Sequence, residues 1–359
     1  MPAHLPPTLR RLLPAFILAS AALAACSSTG DPWPGVSADA ERAYVAFGQH
    51  VFAVGLDDGQ QKWSFPAEPT RDQIFYAAPA VTESGLIVAG SYDHKVYALD
   101  AATGDLAWTF DGAQDRIVGG PVAAGDAVYV PSADGVVFAL QAEDGESIWS
   151  FTADGQVWTS PLVVDDRVYV GSLTHVVYAL DRATGEPVWT YDVGGAIVDT
   201  PSLVDGTLVV GALGRPLTAL DPATGEPRWS AASDQWIWAN AASSDGQAYF
   251  GDLGGRLAAA SVSDGSILEE VRLESAITGR PAIGAENLFV ITQTGTVHAL
   301  RLGDLNASWA KTIPESRLYG PPVLQGDTLL VGAVSRELIL AALATADGDL
   351  RWQFEPAKR

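Results

Sequence analysis

Few side chains in this sequence are of the kinds that carry out reactions, and where they stand is informative. Cys26 is the single cysteine in 359 residues. A lone thiol forms no disulfide within its own chain, and in a secreted protein it is an oxidation liability unless something consumes it. The histidines beyond the leader are His50, His94, His175 and His298, whereas zinc gathers three or four ligands at about 2 Å. His94 and His175 fall in equivalent turns of repeats two apart, a quarter turn of an eightfold ring. They read as surface-turn residues, too far apart to share a metal. The acidic turns Asp57-Asp58-Gly59 and Asp347-Gly348-Asp349 lack the spaced acids and distant glutamate of a calcium loop. They read as plain turns, so no catalytic residue, metal ligand or cofactor is assigned.

The cysteine has a use where it stands. Residues 1–25 carry His4, Arg10 and Arg11, no acidic residue, and an apolar run over 12–25. That is the layout of a secretory signal peptide, short of the ~20 apolar residues of a membrane span. Leu23-Ala24-Ala25-Cys26 has the form of a bacterial lipobox, so Cys26 is expected to become the lipid-modified first residue, with 26–35 as its short tether. Ser27 is of the type that permits export to an outer membrane. The expected location is the cell envelope, extracytoplasmic and lipid-anchored: the outer membrane facing the periplasm in a diderm, the outer face of the plasma membrane otherwise.

Acidic residues number 43 against 21 basic ones, a net charge of −22, and Arg10 and Arg11 belong to the leader. Such a charge opposes nucleic acid and anionic headgroups. It suits plain solubility or a basic partner.

The elements that position the remaining polar groups come from one repeated unit. Residues 177–189 read VYALDRATGEPVW: a half-buried strand, a turn, and a second strand carrying Trp189. Copies stand at 51–63, 96–108, 137–149, 217–229, 257–269, 297–309 and 341–352. Their alanines, Ala53, Ala98, Ala139, Ala179, Ala219, Ala259, Ala299 and Ala342, are spaced by 45, 41, 40, 40, 40, 40 and 43 residues. A period of about 40 residues built only of strand patterns marks propeller blades, since helical solenoids of that period need a 3.6-residue pattern in each repeat. The sequence therefore predicts an all-β, eight-bladed β-propeller of four-stranded antiparallel blades over 36–359. In the fourth blade the strands are expected at 161–164, 167–171, 176–180 and 188–191. Blades are expected to open near Val36, Pro79, Pro121, Pro161, Pro201, Ala241, Pro281 and Pro321. Trp63, Trp108, Trp149, Trp189, Trp229, Trp309 and Trp352 share one outer-strand position, expected to dock blade on blade. Both ends finish whole blades, leaving the segment 31–36 to pair with the last one.

The pattern A-x-D-x-x-T-G-x-x-x-W is complete in the second, fourth and fifth repeats. It resembles the tryptophan-docking repeat of quinoprotein (PQQ-type) propellers, and the likeness covers about 36–354. The sixth repeat departs with Glu269 for tryptophan and Ala241 for proline, and the seventh with Asp304-Leu305 for threonine-glycine. Those two blades are expected to be looser, or to lend an altered rim to a partner. The resemblance implies one of two kinds of protein. PQQ-dependent dehydrogenases are much longer, and hold PQQ with a vicinal cysteine pair and calcium; this chain has neither the pair nor an insertion to cap a cofactor. BamB-like lipoproteins of outer-membrane β-barrel assembly are similar in length, lipobox and repeat count. The resemblance thus implies a non-enzymatic scaffold, a monomeric propeller within a complex, whose partner is an envelope protein or extended peptide. A small-ligand sensor and a PQQ-dependent dehydrogenase stand as alternatives.

Candidate binding residues lie on the segments joining each outer strand to the next blade. The position three before the blade opening holds Tyr76, Val118, Trp158, Val198, Trp238, Thr278 and Leu318. Aromatics recur there on alternate blades. Around them stand Arg116, Asp199, Trp236 and Asn240, then Arg280, Arg317 and Tyr319. Tyrosine, tryptophan and arginine are enriched at binding hot spots. The alternative is that these aromatics pack between blades.

Overall fold

The computed structural model describes residues 33–357; the leader, Cys26 and the tether up to Pro32 lie outside the described residues. Thirty-two strands form eight four-stranded sheets, each strand paired antiparallel with its neighbours in the chain. The blades span 35–65, 80–110, 122–152, 162–192, 202–231, 242–272, 282–312 and 323–354. No helix occurs among the described residues. This is the eight-bladed propeller that the repeat predicts. In blade four the strands are Leu162–Val164, Arg167–Gly171, Val176–Asp181 and Pro187–Asp192. The innermost starts one residue late because Pro161 has no N–H to enter the ladder.

A propeller has no single core. Its buried apolar side chains fall into eight clusters, each drawing on two adjacent blades. The repeat encodes these joints. Seven of the eight fixed alanines lie directly across the ladder from a tryptophan, as Ala179 does from Trp189, and Ala259 faces Glu269. These alanines are fully buried, so a larger side chain would displace the indole. In the turn between, the Asp181 carboxylate accepts from the N–H groups of Ala183 and Thr184 at 3.0 Å and from the Thr184 hydroxyl at 3.1 Å. Gly185 closes the turn with φ at 74°, a left-handed geometry that glycine adopts without steric cost. The same hydrogen bonds hold the Asp181 carboxyl below the usual carboxylate range.

The glycine does a second thing. A Cβ built on Gly185 would come within 2.6 Å of the Trp149 ring of the preceding blade. Glycines 59, 104, 145, 225, 265 and 348 receive Trp352, Trp63, Trp108, Trp189, Trp229 and Trp309 in the same way. Each indole N–H then donates to a carbonyl in that turn, for example Trp63 to Ala101 at 3.0 Å and Trp108 to Ala142 at 3.1 Å. Burying an indole is worth roughly 4–6 kcal/mol as an upper bound.

Trp352 makes the same contact to Leu56 of blade one at 2.6 Å, across 296 residues of sequence. Closure therefore repeats the ordinary joint. Of the segment 31–36 expected to pair with the last blade, residues 31 and 32 lie outside the described residues; in the described part Gly35–Ala38 pairs with the second strand of its own blade, because blade eight already has all four of its strands.

The joint between blades six and seven is built differently. Glu269 replaces the tryptophan, and Leu305 stands at the receiving glycine's position with φ at 53°. Leu305 is 4% exposed and packs with Tyr249, whose counterparts Tyr44, Tyr129 and Tyr169 stack on docking tryptophans. Without an indole to clash with, the turn admits a side chain, and that side chain helps fill the joint. The two departures are thus one exchange. Glu269→Trp alone is expected to cost about 1–3 kcal/mol by overpacking, and Leu305→Gly alone about 2–5 kcal/mol by leaving a cavity. The double variant should recover at least 1 kcal/mol of their sum in urea unfolding; strict additivity would refute the exchange.

Candidate interaction face

The segments joining successive blades lie on the same face as the turns between second and third strands. Hydrogen bonds tie the two sets together: Ala133 N donates to Arg116 O, Leu173 N to Gln156 O and Leu213 N to Ala196 O, each at 2.9 Å. Leu253 N likewise reaches Trp236 O at 3.0 Å. Each connection drops one apolar anchor into the joint between the two blades it links: Phe75, Ile117, Val157, Ile197, Ile237, Ile277 and Leu318, all fully buried or nearly so. Glycines 90, 171, 211 and 251 face Ile117, Ile197, Ile237 and Ile277 at distances a Cβ would violate. Sequence reasoning missed this row, although an apolar residue four before each blade's opening residue was its signal.

The anchors set the phase of the rim. Blade eight opens at Pro322, one residue later than expected, because Val323 is the first residue of its innermost strand. Leu318, placed on the rim from sequence, is therefore the anchor, and Tyr319 takes the rim position. Rim aromatics thus stand on blades two, four, six and eight: Tyr76, Trp158, Trp238 and Tyr319. Trp33 joins them ahead of blade one, its ring 6.3 Å from Tyr76 and 5.9 Å from Tyr319. Tyr76 continues to Tyr92 at 4.7 Å, and the Arg116 guanidinium lies 5.2 Å over the Tyr92 ring. At the other end an Arg317 N–H reaches the Tyr319 hydroxyl at 3.4 Å. The result is an arc of four aromatic rings capped by two arginines.

The remaining candidates divide. Trp236 is 38% exposed, while Trp158 and Trp238 are half-buried; Ile237, between Trp236 and Trp238, is fully buried, so these two tryptophans share a side. No strand forms there. Arg280 is half-buried and makes no hydrogen bond or ion pair to a described residue. The Trp158 indole N–H and the Thr278 hydroxyl are shielded from water and lack a partner among the described residues. Asp199 and Asn240 form a latch. The Asn240 side chain accepts from Gly211 N at 2.6 Å and donates to Thr200 O at 2.8 Å, and Asp199 accepts from Asn240 N at 2.7 Å. Asn240 is fully buried, so its polar atoms serve the joint between blades five and six.

Blade seven carries a titratable cluster on this face. His298 Nε2 lies 3.0 Å from Glu274 Oε2, and Thr292 donates to the same carboxylate. Burial alone would raise the Glu274 pKa; the Thr292 hydroxyl, the backbone and His298 overcome it and hold the carboxyl at about 2. His94 and His175 are exposed turn residues. Asp58 and Asp347 accept from backbone N–H groups of their own turns, Gln60 at 3.0 Å and Asp349 at 2.9 Å.

The opposite face is acidic. Its turns carry Asp57, Asp58, Asp100, Asp105, Glu143, Asp144 and Glu146, then Asp165, Asp166, Asp181, Glu186, Asp221 and Glu226. A recess of about 550 Å³ there is lined by Asp205, Thr207, Arg228, Gly246, Val262 and Ser263. Arg228 is already paired with Asp221 at 2.6 Å. The chain has a single cysteine, and no three His, Cys, Asp or Glu side chains gather to hold a metal among the described residues.

Comparison with known proteins follows this geometry. The family model described as outer membrane protein assembly factor BamB matches residues 47–159, 92–236 and 153–354. The crystal structure of BamB from Moraxella catarrhalis superposes with a TM-score of 0.71 at 21% identity, covering 82% of this chain and 92% of that one. The computationally designed Ika8 protein superposes with a TM-score of 0.74 at 15% identity, covering 88% and 98%. At such identities these two structures show the fold alone. A quinohemoprotein alcohol dehydrogenase from Comamonas testosteroni is 32% identical over 136 residues, which is 34% of this chain and 19% of the enzyme. The chain spans between about a fifth and about a quarter of the length of the curated relatives it matches.

Asn240→Ala should lower stability by about 1–3 kcal/mol, because it strands the Gly211 N–H; a loss below 0.5 kcal/mol in urea would refute the latch. Glu274 has a folded pKa of about 2, below its ordinary 4.5. Its contribution is therefore full above about pH 4.5 and disappears as pH falls through about 2. Melting temperatures of the parent and of Glu274→Gln should differ above pH 4.5 and converge towards pH 2.

Proposed function

We propose a function from one premise: the chain belongs to the family of outer membrane protein assembly factor BamB. It is a non-enzymatic scaffold of the cell envelope, lipid-anchored at Cys26, acting in outer-membrane protein assembly where the cell has an outer membrane. The connection face receives an extended segment or a basic loop of an envelope protein. The observation that carries this is the arginine-capped aromatic arc, with Trp236 left open to solvent on the same face. Rings held by their neighbours lose little rotamer freedom on binding, and flat aromatic surface with arginine suits extended peptide. The acidic surface suits a basic segment and speeds its encounter.

A second reading has its own support. Trp158 and Thr278, in the connections before blades four and seven, each keep a polar atom without a partner among the described residues, and a small polar ligand that displaces the cover of either one would supply it. Equilibrium dialysis against sugars and quinone-like compounds tests it, with loss of binding in Thr278→Val as the expected sign.

For the scaffold, the test is a photo-crosslinker at Gln156, exposed on the same face, in intact envelopes, with Trp236→Ala and Arg317→Ala beside it. Both side chains are exposed, so melting temperatures should stay within about 2 °C of the parent. Capture of barrel-assembly components should fall at least tenfold in the double variant. Undiminished capture would overturn the assignment of this face.

A further inference from the structure

We propose that the joint between blades six and seven is where the ring yields: these two blades part locally while the other joints stay closed, which makes the propeller a firm arc with one built-in hinge.

The distribution of aromatic locks carries the proposal. Each joint has places for two. The first is the docking tryptophan on its glycine, present at every joint except that between blades six and seven, where Glu269 and Leu305 stand instead. The second pairs a ring two residues beyond the tryptophan with a ring on the third strand of the next blade. Phe65 meets Tyr97, Phe110 meets Phe138, Phe151 meets Tyr178 and Phe354 meets Phe52, at 5.1–5.5 Å between centroids. Four consecutive joints, from blade eight round to blade four, therefore hold both locks. At the remaining joints the third-strand place is filled by Thr218, Ala258, His298 or Ala341, so no second pair of phenyl rings forms. Three of those joints keep the tryptophan. The joint between blades six and seven has neither lock, while the seam at the chain ends, closed by Trp352 and Phe354, has both.

A polar clamp stands where the rings are missing. Leu273 N donates to Gly255 O at 2.8 Å, which fastens Glu274 to blade six. Its carboxylate accepts from the Thr292 hydroxyl and lies 3.0 Å from His298 Nε2, both on blade seven. The Glu274 side chain is 44% exposed, so water competes for these contacts and screens the pair, whereas a buried ring excludes water. Leu305 and Tyr249 fill the joint behind the clamp, but a leucine buries less apolar surface than an indole. Local opening takes place where such contacts are fewest. The movement falls on the connection face. Leu253 N bonds to Trp236 O at 3.0 Å, so Trp236 and Trp238 travel with blade six, while Trp33, Tyr76 and Tyr319 stay together beside the doubly locked seam. The rim has a fixed sector and an adjustable one.

Equivalent valines on the second strands, all fully buried, provide the test. Val45 faces the joint of blades eight and one, Val130 that of two and three, Val170 that of three and four, and Val290 that of six and seven. Each is replaced singly by cysteine in the full chain with Cys26→Ser, which removes the only native thiol, and thiol labelling is followed without denaturant. Labelling at 290 should be at least tenfold faster than at 45, 130 or 170, and faster than the global unfolding of the same variant. Equal rates at the four positions, a rate at 290 no faster than global unfolding, or a fastest rate at 45 would overturn the hinge. Glu274→Ala should quicken labelling at 290 at least threefold and leave 45 unchanged; an unchanged rate at 290 refutes the clamp. Glu269→Trp combined with Leu305→Gly supplies the missing lock and should slow labelling at 290 at least threefold. If it does not, the absent tryptophan is not what lets the joint yield, and the proposal fails.

Discussion

The structure depends on the seating of a tryptophan from one blade on a glycine of the next. The indole covers a turn that only glycine can make without intruding on it, and its N–H takes a carbonyl that would otherwise be buried unpaired. Because that contact joins a blade to its neighbour and not to itself, no blade is complete alone. The eight clusters of buried residues are shared in the same way, each between two sheets. Stability is then a sum around a circle, and the contact of Trp352 with Leu56 turns a row into a ring.

Fixing the sheets fixes the faces. Short strands leave every blade-to-blade connection on one side and the turns between third and fourth strands on the other, so the two faces differ in chemistry although the repeat is the same. On the connection side, a buried anchor and a backbone hydrogen bond hold each segment in place, and the following side chain points to the rim. The rim is thereby pre-organised. Where blades six and seven abandon the tryptophan, they abandon the glycine too, and a leucine enters the joint. This paired departure keeps the joint filled, with Leu305 only 4% exposed.

One scaffold serves both enzymes and assembly factors because the repeat specifies only the joints. What distinguishes the two is held in segments outside the repeat. In this chain those segments present aromatic rings and arginines, with no cluster of metal-binding side chains among the described residues. Acidity spread over the turns makes copies of such a body repel one another.

The number of blades, their four strands and the docking tryptophans were legible in the sequence, because each depends on contacts within about 40 residues that the repeat states eight times. Ala179 opposite Trp189 and the Asp181 turn are of this local kind. Tertiary structure decided what the repeat does not state. Pro321-Pro322 offered two phases for blade eight, and only the burial of Leu318 selected the one that brings Tyr319 to the rim. Trp33 carried no signal of its partners, since its neighbours Tyr76 and Tyr319 come from blades at opposite ends of the chain. Asn240 looked like a surface amide until Gly211, 29 residues away, was seen to use its oxygen. Residues within a blade reveal their roles through period and turn chemistry; residues between blades acquire theirs only when the ring closes.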